Sequence, residues 1–460
     1  MALLVSFFLL WGIILSGVRP SSVATLSSPS TVPLKTLHQL LEEADQAAAA
    51  AAPQAGPALP LPPSLDPWYR APTTYDWTQT EPGQVLKIRQ APFLNWTVGN
   101  ALRAYQLLYR STDSQYNPAW DVTTLFIPRW QARCSPQTPH LCAHAVLSYQ
   151  LPYDTCNVDA SPSYGLHLGE PYGEIADALA LGWFVAVPDY EGPLASYAAG
   201  VQAGHATIDG VRAVLQVGGL FGLRMDVTKV ALWGYSGGAL ASEWAAELAV
   251  QYAPKMKFAG IALGGLTPNV TGVTDFLNGK EGAGLIPAGL LGIATQHPDA
   301  YRWIVSRLRP ALRDRFLSVR KMTARQAIRT FMYNDIYSYF VGGYKDLHTR
   351  VMQMMYNIDG FMGYHGVPRM PVFIYNAVHD ELSDIKEVDE LVDRFCGVGA
   401  NILYHRNLAG THHQEIVNGR QRAFAWLRSV LDGSYDQLYS SMGCTIQNVT
   451  YNLAPYVGWW

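Results

Sequence analysis

The stretch that most constrains this chain runs from Val227 to Glu247, VTKVALWGYSGGALASEWAAE. Val227, Val230, Ala231, Leu232 and Trp233 form a short apolar run that reads as a buried strand, and from Ala239 the residues are strong helix formers. Between them lies Gly234-Tyr235-Ser236-Gly237-Gly238. A turn this sharp excludes ordinary side chains, so Gly234 and Gly238 leave room for the strand and helix to approach while Ser236 projects its hydroxyl outward. Gly237 can then aim its backbone N–H at a developing negative charge, because the first N–H groups of a helix lack partners.

G-x-S-x-G alone also fits an ordinary turn. Flanked by a strand and a helix it is the nucleophile elbow of the α/β-hydrolase fold. The surrounding sequence agrees. Thr124–Pro128, His144–Leu151, Gly182–Pro188, Lys257–Leu263, Val372–Asn376 and Asn401–His405 read as strands. Gly204–Gln216 and Ile416–Leu431 read as helices, the former with Ile208, Val211 and Leu215 on one face. This alternation predicts a mostly parallel sheet flanked by helices. Between Gly264 and Pro368 it stops, and helical patterns follow one another at Ala300–Leu312, Arg325–Met332 and Leu347–Asn357. An insertion there would sit over the active site as a helical cap. Within it, Leu285–Ala294 reads either as buried cap core or as a lid or acyl-chain wall. The expected organisation is a signal peptide over 1–20, a propeptide or flexible linker over 21–66, an α/β-hydrolase core over 67–265 and 369–460, and a cap or lid over 266–368.

Ala2–Gly17 is a hydrophobic run followed by Arg19 and a Ser-rich stretch, which reads as a secretory leader; an uncleaved anchor is the rival, since the run is only slightly short of a span. Ser21–Pro63 is rich in Ser, Ala and Pro, with Leu37–Ala52 a candidate helix inside a mobile spacer. Sequons at Asn95, Asn269 and Asn448 fit glycosylation on a secretory route. Five cysteines in an oxidising compartment leave one thiol over. The preferred pairs are Cys396–Cys444 and Cys134–Cys142, leaving Cys156 free, although sequence does not fix connectivity. No Cys/His spacing suggests zinc, and neither a metal nor an organic cofactor is expected. The formal net charge of −3 and the lack of a Lys/Arg-rich run argue against nucleic acid as a partner.

An elbow serine needs a histidine to take its proton and a carboxylate to orient that histidine, and in this fold they follow in the order Ser, Asp/Glu, His. Asp380 follows a strand end after a short loop, where the acid belongs, with Glu381 and Asp384 as neighbours that could compete. For the base, His412 and His413 lie between the last strand and the last helix, and His379 lies in the acid's own loop. Spacing alone does not choose between the adjacent histidines.

Several ordered motifs coincide. They are Asp189-Tyr190-Glu191-Gly192, GHATIDGVRAVL over Gly204–Leu215, the GYSGG elbow, the pair Asp380-Glu381, and His412-x-x-Glu415-x-x-x-Gly419 ending in Trp426-Leu427. From about Pro67 to the C-terminus the chain resembles the fungal secretory lipases typified by Candida antarctica lipase A. The resemblance implies a triad of Ser236, Asp380 and His412. It also implies an oxyanion hole in which Asp154, within SYQLPYDTC, joins the N–H of Gly237. A carboxylate cannot donate, so Asp154 would have to be protonated; otherwise it is an ordinary loop aspartate. The cap cysteine that would pair with Cys156 in this family is missing. The implied enzyme is a secreted, extracellular triacylglycerol lipase acting as a monomer on a lipid or ester substrate at a lipid–water interface, without a stable membrane span. An esterase or acyltransferase on shorter or specialised esters is the close alternative. A serine peptidase and a non-catalytic ligand-binding hydrolase fold are more distant ones.

Overall fold

The computed structural model describes residues 35–51, 59–91, 93–135, 138, 140, 143–169 and 172–454. The expected leader and Cys142 lie outside them. Ten strands form one mixed sheet: β1 (Val85–Gln90), β2 (Ala101–Thr112), β3 (Pro118–Pro128), β4 (Ala145–Gln150), β5 (Phe184–Pro188), β6 (Lys229–Tyr235), β7 (Gly260–Gly264), β8 (Val372–Ala377), β9 (Ile402–Asn407) and β10 (Cys444–Val449). Their spatial order is β1-β2-β3-β5-β4-β6-β7-β8-β9-β10. The first four in that order pair antiparallel, and from β5 to β10 every pairing is parallel.

Successive residues of the central strands enter opposite apolar layers, as the two-residue period of a strand requires. Val230, Leu232, Ile261, Leu263, Val372 and Ile374 join one layer with the helices Gly200–Gly218 and Gly237–Tyr252. Ala231, Trp233, Ala262, Phe373 and Tyr375 join the other with the helices Gly173–Ala180 and His412–Asp432. A strand covered on both faces has no polar side, which is why these runs read as continuously apolar.

Three strands escape the sequence reading: β1, β2 and β10. The last has no buried residue, with Ile446, Gln447 and Asn448 exposed; its partners are the β9 ladder and a disulfide from Cys444 to Cys396, on the helix Ile385–Gly397. Within the stretch expected as a spacer the candidate helix forms, but against the core and not as a free segment. The helix Leu37–Ala51 is docked, burying Leu40 and Ala44 in the layer that holds Val85, Ile88 and Tyr105. Asp45 secures it by accepting from Gln90 at 2.6 Å and Tyr105 at 3.1 Å.

Between β7 and β8 lies the helical insertion, with an apolar core of its own that includes Leu291, Ile304, Phe316, Phe331, Phe340 and Met352. The helix expected over Ala300–Leu312 is two helices, Pro298–Arg307 and Pro310–Leu317. Pro310 cannot continue the first and occupies the first position of the second, with Arg309 pushed to an extended ψ of 130°. The helix Leu285–Ala294 is buried at every residue, yet Leu285, Ile286, Gly289 and Leu290 also line the space behind Ser236. The segment is thus buried in the insertion and also lines that space. No helix among the described residues is long and apolar enough to cross a membrane.

Candidate active site

Ser236 stands between β6 and the helix Gly237–Tyr252 at φ 54°, ψ −124°, a region closed to most L-residues. Holding a serine there costs on the order of 1–3 kcal/mol, so its surroundings must enforce it. The Ser236 N–H donates to the Gly264 carbonyl at 2.8 Å. A Cβ on Gly234 would overlap the Gly238 carbonyl, and one on Gly238 would overlap the Gln150 carbonyl, so no larger residue fits on either side of the turn. The elbow is thus a steric consequence of its glycines.

His412 is the first residue of its helix and is buried. Its Nδ1 lies 2.7 Å from Asp380 Oδ2, while Asp380 Oδ1 accepts the N–H groups of Leu382 and Ser383 at 2.8 and 2.9 Å. Both oxygens of the carboxylate are thereby fixed. Tyr235, beside the serine, donates to the His412 carbonyl at 2.5 Å. Gly265 makes room for the imidazole, since a Cβ there would lie 2.7 Å from His412 Cε1. Tyr235 and Gly265 were not anticipated as site residues; the Gly264-Gly265 doublet at the end of a strand was the available sign. Burial opposes the charged form of His412, but the charge and hydrogen bond of Asp380, with the charges of Glu381 and Asp154, outweigh it and raise its pKa.

The geometry separates the competing candidates. His413 Nδ1 pairs with Glu381 at 2.9 Å, Asp384 caps the helix Ile385–Gly397 by accepting from Lys386 N–H at 3.0 Å, and His379 is exposed. Only the Asp380–His412 pair is buried.

Asp154 sits at φ 46° on the loop after β4. Its Oδ1 is sealed from solvent without a hydrogen-bond partner and lies so close to Gly237 that a Cβ there would collide with it. Burial pushes its carboxyl up to about 7, against the pull of the His412 charge. Asp154 and Gly237 therefore stand together at the first turn of the helix Gly237–Tyr252, and the aspartate holds a proton over much of the acidic range.

Two cavities meet at Ser236. One of about 50 Å³ lies between the helix Gly237–Tyr252 and the insertion, lined by Gly237, Leu240, Val273, Leu277 and Leu290. The other, about 240 Å³, opens outward and carries Asp154, His412, His413, Arg325 and Ile416. Among the described residues no cluster of ligating side chains could hold a metal ion.

The remaining motifs are scaffolding. Asp189 accepts from Ser163 N–H at 2.7 Å, and Tyr190 donates to the Leu151 carbonyl at 2.7 Å, bracing the loop that carries Asp154. Glu415 pairs with Arg422 and Asn407, and Gly419 admits the ring of Tyr375. Cys156 is free and buried in the apolar core of the insertion, its thiol pushed up to about 12 by burial. Where a disulfide would tether this loop to the cap, Thr155 donates to the Met322 carbonyl at 2.6 Å. Cys134 is disulfide-bonded. Of the three sequon asparagines, Asn448 is exposed on β10, whereas Asn269 caps the helix Val270–Leu277 and donates to Glu387 at 2.9 Å. Asn95 lies in the short helix Leu94–Thr97.

The secretory lipase family profile matches residues 165–437. The chain belongs to the secretory lipase family. A trichothecene C-3 esterase from Fusarium sporotrichioides is 43% identical over 416 residues, spanning 87% of this chain and 91% of the relative. Lipase A of Arthroderma benhamiae is 38% identical over 391 residues, with 81% of each chain covered. Among solved structures, Candida antarctica lipase A superposes with a TM-score of 0.75 at 27% identity, covering 86% of this chain and 91% of that one. The family thus contains proteins named as esterases as well as lipases, and this secretory lipase family member is a hydrolase of the lipase/esterase class.

Proposed function

We propose that this chain is an exported serine carboxylic-ester hydrolase that cleaves esters of short acyl chains, with Ser236 as nucleophile, His412 as general base and Asp380 orienting it. Ser236 Oγ attacks the ester carbonyl as His412 Nε2 takes its proton. The oxyanion is held by the Gly237 N–H and the protonated carboxyl of Asp154, each such donor being worth about 3–4 kcal/mol. Collapse of the intermediate expels the alcohol, which leaves with the proton from His412. Water then repeats the sequence on the acyl-enzyme and releases the acid.

The observation that carries the chain-length reading is the difference between the two cavities. The inner, apolar one measures about 50 Å³, whereas a cavity of roughly 150 Å³ is what holds a benzene ring. A space about a third of that size favours a short acyl chain, and the outer 240 Å³ leaves room for a larger alcohol. A second reading, triacylglycerol lipase, is favoured by the apolar wall that Leu285, Ile286 and Leu290 give the inner cavity, which a shift of their helix would lengthen.

A p-nitrophenyl ester series from acetate to palmitate, run on the purified protein beside Ser236→Ala, tests this. The expected outcome is highest kcat/KM at acetate or butyrate and no turnover by the alanine variant. Highest kcat/KM at palmitate would replace the short-acyl reading with the lipase one. An active Ser236→Ala protein would remove the mechanism itself.

A further inference from the structure

Two adjacent pairs, Asp380-Glu381 and His412-His413, each supply one member to the triad and leave one over. The spare members meet. Glu381 Oε2 accepts the backbone N–H of His412 at 2.6 Å, and Oε1 lies 2.9 Å from His413 Nδ1. The His412 N–H is the first of its helix and has no partner along the helix axis. Thr411, which caps that helix, is committed to Gln414 in a reciprocal capping box, so it does not serve His412. A carboxylate is the best acceptor for the vacant donor, at the positive end of the helix dipole. The side chains of Glu381 and His413 keep about a third of their surface exposed, 31% and 34%, against 1% and 3% for Asp380 and His412. The spare pair therefore forms the outer wall of the buried one.

We infer that Glu381 is a positioning residue, whose carboxylate staples the acid loop to the first turn of the histidine helix and so holds the His412 ring in line with Asp380. Asp380 and His412 sit on different elements, and their 2.7 Å bond fixes one distance without fixing the angle of the helix end. A second bond to the backbone of the same residue supplies that constraint. The groups facing His412 are Asp380 and Glu381 from the acid loop, Asp154 from the loop after β4, Tyr235 from β6, His413 on its own helix and Arg325 across the outer cavity. Among them Glu381 is an anion that stabilises the charged imidazolium without touching the ring. Its removal therefore frees the helix end and also makes His412 easier to deprotonate.

The inference rests on the triad proposed above, and the test separates the two. Glu381→Ala, Glu381→Gln and His412→Ala are compared with the unaltered protein for p-nitrophenyl butyrate hydrolysis across pH, with the melting temperature recorded for each. Glu381→Ala is expected to lower kcat roughly 10- to 100-fold with little change in KM, the scale of a small misplacement of a reacting group. Glu381→Gln keeps an acceptor for the His412 N–H but not the charge. It is expected to recover most of the rate while its acid limb moves to lower pH, because the anion that raised the His412 pKa is gone. A merely structural glutamate would lower the melting temperature and leave the acid limb in place. Wild-type kcat in Glu381→Ala, with His412→Ala inactive, would overturn the staple alone. An active His412→Ala would overturn the triad as well. If Glu381→Ala does not fold, Glu381→Leu, which keeps the bulk but offers the His412 N–H no acceptor, decides in its place.

Discussion

Replacing Asp154 by asparagine and by alanine tests the least ordinary feature of the site, a carboxyl asked to donate a hydrogen bond. Burial of Oδ1 against Gly237 pushes the carboxyl from 3.8 up to about 7. The donor is present below that pH and is lost as pH rises through it. If the hole needs this proton, the alkaline limb of kcat/KM in the unaltered protein falls about tenfold per pH unit above its midpoint. An asparagine side chain carries its donor at every pH, and asparagine is among the residues that tolerate the φ of 46° found at this position. Asp154→Asn is therefore expected to stay active through pH 9, where the unaltered protein has lost most of its rate. Asp154→Ala loses the donor everywhere, at a cost of about 10²–10³ in kcat. The assay is pH-stat titration of a butyrate ester from pH 5 to 9, which avoids the titration of a coloured product. Stability supplies a second, independent sign. A carboxyl whose folded pKa is raised binds its proton more tightly in the native state, so its contribution falls between about pH 4 and pH 7, by about 1.4 kcal/mol per unit. The melting temperature of Asp154→Asn relative to the unaltered protein should therefore rise from pH 5 to pH 8. An alkaline limb shared by the asparagine variant, or a wild-type rate in Asp154→Ala, would refute the protonated-aspartate hole.

Other perturbations follow from the way the insertion and the edge strand are held. Buried Asp359 accepts from Ser114 Oγ at 2.9 Å and Val201 N–H at 2.8 Å and pairs with His297 at 2.6 Å, joining both ends of the insertion's later helices to the core. Asp359→Ala should cost about 3–5 kcal/mol in urea unfolding, the scale of a broken buried pair, and should expose the insertion to protease before the core. The Cys396–Cys444 bridge closes 48 residues of sequence. Replacing both cysteines by serine should lower stability by about 2–4 kcal/mol and leave butyrate hydrolysis unchanged, since the bridge lies on the edge strand, remote from Ser236.

What the sequence disclosed and what it hid divide along physical lines. Ser236, Gly234 and Gly238 are legible because the steric demand of the turn is local: the glycines that permit it lie within two residues of the serine. Asp380 is legible because a strand end fixes where its loop begins. His412 and His413 are indistinguishable by local rules; the family pattern His412-x-x-Glu415 points to the first, and in the structure it is His412 that meets Asp380 Oδ2, from a different strand. The α/β alternation is plain where strands are buried on both faces. It fails at β10, whose stability comes from β9 and a bridge 48 residues away; the helix Leu37–Ala51 is legible, but its docking through Leu40 and Ala44 is not.

The loop that carries Asp154 is the harder case, because the role proposed for it depends on relations that no local pattern contains. Asp154 becomes a donor only if it is buried, and it is buried because Gly237 lacks a side chain, because Tyr190 pins Leu151, and because Thr155 reaches the insertion at Met322. The two hydrogen bonds among these contacts cross 39 and 167 residues of sequence. On the mechanism proposed above, the same contacts couple the insertion to the Asp154 loop. A movement that opened the inner cavity to a longer acyl chain would also move Met322, and with it the loop that keeps Asp154 dry. Acyl-chain length and the alkaline pH limit should then shift together in any variant that loosens the insertion: longer esters gained, and the Asp154 proton lost at lower pH as water reaches its carboxyl.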